Sequence, residues 1–205
     1  MIRRGKSRNA GFTLLELAVV VLVIGVVGLI IGPTVTGSVT NAKATQLQRI
    51  ADTATSNWFF LTMQAGTGTS INTRQGIYSG SGTVTPPGPN YVLFIGRDYV
   101  TPAFQAAYDR SGVRPLDQVV ARVGTTAQFT VVNFPGSTVD VTGGGPNPLV
   151  VSFGNIPPEV VLELVRRLRP GAAMVYGTAT TIAQVTYNCP SAAVRCTSVD
   201  FSRRP

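Results

Sequence analysis

The chain has 205 residues, 44% of them apolar, with 17 Lys and Arg against 9 Asp and Glu and no His. That length holds one globular domain of ordinary size plus an extra element, and two full domains would be crowded. Without histidine, a His-dependent catalytic triad or metal site is excluded.

The positive charge is unevenly spread. Arg3, Arg4, Lys6 and Arg8 all precede an apolar run, and without them the balance falls to 13 basic against 9 acidic residues. Basic residues flanking an apolar segment hold that flank in the cytoplasm, so the excess reads as a targeting charge rather than a nucleic-acid surface.

The run itself follows as "GFTLLELAVVVLVIGVVGLIIGP", residues 11 to 33, with no charged residue from Leu17 to Ile31. Beyond it, Val35, Val39, Ala42, Leu47, Ile50, Ala54, Trp58 and Leu61 recur at helical spacing among polar residues. One long helix is predicted, apolar all round in its first half and amphipathic in its second, the first suited to lipid and the second to a protein core. From Phe12 to Met63 it would be about 78 Å long, wider than a small domain, so half of it is expected to project. Pro33 lacks a backbone donor and Gly25, Gly28, Gly32 and Gly37 weaken the helix around it, which predicts a kink or local melting there.

After Met63 the texture changes to a Gly, Ser, Thr and Pro-rich segment, read as a long surface loop over 64–89. From Asn90 onward, segments rich in β-branched and aromatic residues predict strands at 91–96, 127–134, 137–143, 148–154, 172–179 and 182–189. Short helices are predicted at 101–109 and 157–168, the second carrying Val161, Leu164, Val165 and Leu168 on one stripe and packing on the sheet. The aromatic cluster Asn57–Trp58–Phe59–Phe60 is expected in the core at the junction of helix and sheet.

Cys189 and Cys196 bracket a short turn. In an exported body an oxidising compartment lets them pair, and closing so short a loop removes roughly 2 to 3 kcal/mol of unfolded-state entropy. Two reduced thiols in a cytosolic turn are the alternative. Asp98, Asp109, Asp117 and Asp140 lack the spacing of a Ca²⁺ loop, so no metal is claimed, and no cofactor is expected. Arg166, Arg167 and Arg169 cluster at a helix end, where a phosphate contact competes with an ordinary Glu163–Arg167 pair and a favourable helix dipole. The tail from Asp200 reads as a solvated basic end or a subunit contact.

Glu16, almost at the start of the apolar run, needs a reason. A secretory signal peptide cut near Val35–Gly37 fits poorly with a carboxylate early in its core and with a helical stripe that continues past the cut. A plain anchor leaves the carboxylate's cost unexplained, since an intramembrane acid is by default functional and wants a partner.

Gly11, Phe12, Thr13, Leu14, Leu15, Glu16 and Leu17, followed by the apolar run with Gly25 and Pro33, resemble the N-terminus of type IV prepilins. The resemblance implies cleavage by prepilin peptidase after Gly11, methylation of the new amino group of Phe12, and attraction between Glu16 and the N-terminal amine of a neighbouring subunit as helices assemble into a filament core. An α-amino group is largely charged at neutral pH and compensates a carboxylate in a low-dielectric core, so pairing across subunits also sets their axial register. The strand and helix at 148–168 look like the head of type IVb pilins, although Val160 and Val161 stand where a cysteine is sought. The close cysteine pair, Phe12 and the short leader look more like type IVa; a IVb-like head is the expectation taken.

The expected organisation is therefore α+β, a long N-terminal helix packed on an antiparallel sheet with short helices. It comprises a leader at 1–11, an apolar transmembrane and filament-core helix at 12–33, its amphipathic continuation at 34–63, the loop at 64–89 and a β-rich head at 90–205. The expected role is a structural subunit, not an enzyme. It passes from the inner membrane into an extracellular homopolymeric filament through the pilus assembly machinery. A minor tip subunit binding DNA or a surface, and a pseudopilin of type II secretion, are the alternatives; nucleic acid is the less favoured partner.

Overall fold

The computed structural model describes residues 14–67, 77, 88–124, 128–143 and 149–203, with the backbone alone described at 28–36. The leader with Gly11 and Phe12, most of the 64–89 loop and the last two residues lie outside the described residues. The chain divides into two compact units, residues 1–39 and 40–205.

Helix α1, Leu14–Gln64, crosses that division in sequence and is 51 residues long. Its assignment is unbroken through Pro33, so the local melting expected there does not occur. Pro33 removes a single donor from the ladder, and the helix is assigned continuously on both sides of it. The helix ends on Gly66, whose φ of +64° is readily adopted only by glycine. Its amide donates to the Met63 carbonyl at 3.1 Å and that of Thr67 to Thr62 at 3.0 Å, which together satisfy the last carbonyls of the helix.

Among the described residues seven strands form one antiparallel sheet in the order β1-β2-β3-β4-β7-β6-β5. They are β1 (Val120–Arg122), β2 (Phe129–Val131), β3 (Thr138–Gly143), β4 (Leu149–Gly154), β5 (Thr180–Ile182), β6 (Val185–Asn188) and β7 (Ser198–Arg203). Alternate residues of the central strands face one core: Leu149, Val151 and Phe153 from β4, Val199 and Phe201 from β7. Such alternation marks a sheet with one face covered. The cover comes from Ala44, Leu47, Ile50, Ala51, Ala54, Trp58 and Leu61 of α1, and from Val160, Val161, Leu164 and Val165 of α3 (Pro158–Leu168), all in the same buried cluster. Helix α2 (Pro102–Ser111) adds Tyr108. The class is α+β with a long N-terminal helix.

Several predicted elements change. Tyr91–Ile95 is a π-helical turn, not a strand. Its residues Tyr91 to Phe94 are all buried, and a short unbroken apolar run does not distinguish a buried strand from a buried helical turn. Tyr91 and Phe94 pack on Phe129 with ring centroids 5.2 and 5.3 Å away. Residues 172–179 form no strand; the edge strand starts at Thr180. The 127–134 segment shortens to β2 because Asn133 and Gly136, with φ of 73° and 75°, turn the chain back. The supposedly solvated tail from Asp200 is largely β7, paired on both sides. Trp58 is in the core as expected, whereas Phe60 is exposed.

Candidate assembly site

Between Leu14 and Val27 every described side chain is exposed, and Glu16 is the one ionisable group among them. Glu16 sits in the first turn of α1, where a carboxylate meets the positive end of the helix dipole. A helix that is apolar all round is stable only when covered by lipid or other protein. Among the described residues no helix is long and apolar enough to cross a membrane. The described side chains of the apolar run stop at Val27, while the sequence continues it to Ile31. Gly11 and Phe12, the expected cleavage and methylation positions, lie just upstream of the described residues, and Pro33 is described in backbone only.

In the second unit the sheet and α3 grip α1 through polar contacts that sequence reasoning did not find. Arg167, besides its 3.3 Å contact with Glu163, donates to Thr45 Oγ1 at 2.6 Å and to the Asn41 carbonyl at 2.9 Å, and also meets the Asn41 side-chain oxygen. Arg203 on β7 pairs with Asp52 at 2.6 Å. Gln46 donates to the Val132 carbonyl and Asn57 to that of Arg114. Each joins residues at least 57 apart in sequence, so no local pattern announces it.

Cys189 and Cys196 are joined by a disulfide, and both are fully buried. The loop between them is anchored by its own Arg195, which donates at 3.0 Å to the carbonyls of Pro135 and Asn155, and by exchange of backbone bonds between Cys196 and Ile156. Of the four aspartates considered for metal, Asp109 pairs with Arg97 at 2.8 Å and raises its pKa, and Asp140 accepts from Asn90. Among the described residues no group of three or more acids or cysteines is placed to hold a metal ion. Burial, with Asp109 and Asp117 adding to it, pushes the Tyr108 hydroxyl up to about 12.

An exposed apolar helix headed by an acid needs cover that the described residues do not supply. Residues 6–32 match the family model described as the prokaryotic N-terminal methylation motif. That motif is the signature of type IV prepilins, so this chain carries the mark of a prepilin-peptidase substrate of the pilin and pseudopilin kind. No curated protein and no solved structure is significantly similar to the chain.

Proposed function

We propose that this chain is a structural subunit of a type IV pilus. Prepilin peptidase removes residues 1–11 and methylates Phe12, and the run from Phe12 to Pro33 then holds the subunit in the inner membrane. The assembly machinery extracts it into a helical homopolymer with the apolar helix inside and the heads outside. In this reading the subunit is a building block and catalyses nothing.

The observation that carries the reading is the methylation motif fused to a helix whose side chains from Leu14 to Val27 are exposed and, apart from Glu16, apolar. A slip of register would leave Glu16 and the neighbouring amine as two buried unpaired charges, so the pair both attracts and aligns subunits. N-terminal sequencing and mass measurement of mature protein test it. A first residue of methylated Phe12 is expected, and a mature chain starting elsewhere overturns the proposal. Recovery of the chain as the bulk component of purified long fibres is expected of a major subunit; recovery in traces alone assigns it to a tip or to secretion.

A further inference from the structure

We infer that two copies of this chain pair head to head through β5, edge strand against edge strand, about a twofold axis at Thr181. The inference uses the second unit alone and goes beyond the filament reading without resting on it.

β5 ends the sheet: among the described residues β6 pairs with one side of it and no strand pairs with the other. Ile182 and Val185 flank a two-residue turn, so they exchange both ladder bonds across it. Alternation then points the backbone groups of Thr180 at Tyr187 as well, and turns the N–H and C=O of Thr181 outward. Thr181 is itself exposed. Edges are commonly blunted by charge, proline or a bulge, and β5, in continuous register on β6, carries none of these.

A groove of about 400 Å³ runs beside this edge. It is lined by Thr180, Ile182 and Tyr187 from the strands and by Ala172 and Val175 from the segment after α3. Val185 and Tyr187 are buried, and their cross-strand partners Ile182 and Thr180 share that face, so the groove lies on the core side of the sheet. The Val175 amide donates to the Tyr187 hydroxyl at 3.1 Å, which fixes the groove's width. A strand laid against β5 gains backbone bonds at the edge and a place for an alternate side chain in the groove, the two ingredients of strand addition.

Charge and symmetry select a second copy as that strand. Beyond the four basic residues before the apolar run and Glu16 within it, the second unit holds 13 basic and 8 acidic residues, so two heads repel where their charges meet. From Gly171 to Val194 the sequence has no charged residue, and the edge is a seam along which like-charged copies approach without bringing charges together. Arg169 is the one charge lining the groove. With the axis at Thr181, its N–H and C=O meet the C=O and N–H of Thr181 in the copy, so one residue satisfies both sides. Ile182 then stands opposite Thr180 of the copy on the core-side face, and each groove receives the other's isoleucine. Such a contact is isologous and closes at two, so it cannot repeat along a polar helix; it joins two subunits, or two filaments, side by side.

The test uses the full chain in excess detergent, which keeps the apolar run of each copy covered. In an antiparallel pair that exchanges both bonds the Cα atoms stand about 5.5 Å apart, within disulfide range. Thr181→Cys is therefore expected to form disulfide-linked dimers under mild oxidation. Thr186→Cys, one strand inward, would stand three strand spacings, about 14 Å, from its mate and is expected to form none above the collision background. Cys189 and Cys196 are joined and fully buried, so they offer no competing thiol. In sedimentation at high concentration Thr181→Lys alone and Thr181→Glu alone should each associate up to about fivefold more weakly than the parent, and their mixture should regain the loss, because residue 181 faces itself. That rescue also shows that both variants fold. Equal dimer yields from the two cysteine variants, or a mixture no stronger than its components, overturn the inference. So does a parent chain that stays monomeric, including one that instead takes an acidic extended peptide along β5. None of these outcomes touches the start of the mature chain at Phe12, which decides the filament reading.

Discussion

From Leu14 to Val27, α1 turns every described side chain to the outside, whereas from Ala44 to Leu61 the same helix places one stripe in the core of the second unit. Both stretches are rich in aliphatic residues, but the second interleaves them with Lys43, Gln46, Arg49 and Asp52 and the first does not. The difference teaches what completes each half. The second half is finished by its own sheet and by α3. Among the described residues the first has no such cover, and in the proposed reading lipid or other copies supply it, which is what gives Glu16 its proposed weight.

The largest expected break in this contrast is Glu16→Ala. It leaves a neighbour's amine unpaired in a low-dielectric core, a defect on the order of 3 to 5 kcal/mol per subunit, while the cleavage position is untouched. The yield of sheared fibres should collapse although mature protein still starts at Phe12; a normal fibre yield would refute the pairing.

Stability measurements should separate the halves directly. Trp58→Ala empties a fully buried site and is expected to lower the head's unfolding free energy by about 3 to 5 kcal/mol. The same measurement on Leu22→Ala should show a change under about 0.5 kcal/mol, because Leu22 is 67% exposed. Comparable losses at the two positions would mean that the first half is not independent of the head.

A smaller effect lies within the second unit. Replacing Cys189 and Cys196 by serine should cost about 2 to 3 kcal/mol in chemical denaturation, the loop-closure value for so short a ring. Wild-type protein under reductant should match the variant; a variant as stable as the oxidised parent would show that the ring constrains little.

The last expected effect is confined to high pH. The Tyr108 hydroxyl is buried without a hydrogen-bond partner among the described residues. Its pKa in the fold, about 12, lies above its ordinary value of 10, so the unfolded chain ionises first. Stability is intact below pH 10 and falls as pH rises from 10 to 12, by about 2 kcal/mol. Tyr108→Phe should remove that decline and leave stability near neutral pH almost unchanged, as read by denaturation midpoints across the pH range. A decline that persists in the variant would assign it to other groups.

How much of this was legible in the sequence follows from the range of the interactions. The halves of α1 differ in local periodicity, and β3, β4, β6 and both short helices have strong local patterns, so all were readable. β7 was not, because "SVDFSR" offers just Val199 and Phe201 to the core between outward Ser198, Asp200 and Ser202, and the basic residues that follow make it look like a solvated tail. The π-turn at 91–95 was misread because complete burial erases periodicity. At the assembly site Gly11, Phe12 and Glu16 were named from a contiguous motif. The grip of Arg167 on Asn41 joins residues 126 positions apart and has no counterpart in local sequence.

β7 follows every other strand in the sequence, yet it lies between β4 and β6. The sheet therefore cannot close until the segment 198–203 has emerged, long after α1 has been synthesised. During synthesis the earlier strands must wait, with β4 and β6 each exposing an unpaired edge. For a chain made from its N-terminus, the apolar helix is delivered first and the head seals last. The apolar helix is thus complete while the head is still open, so a partner of that helix can engage it before the sheet is sealed.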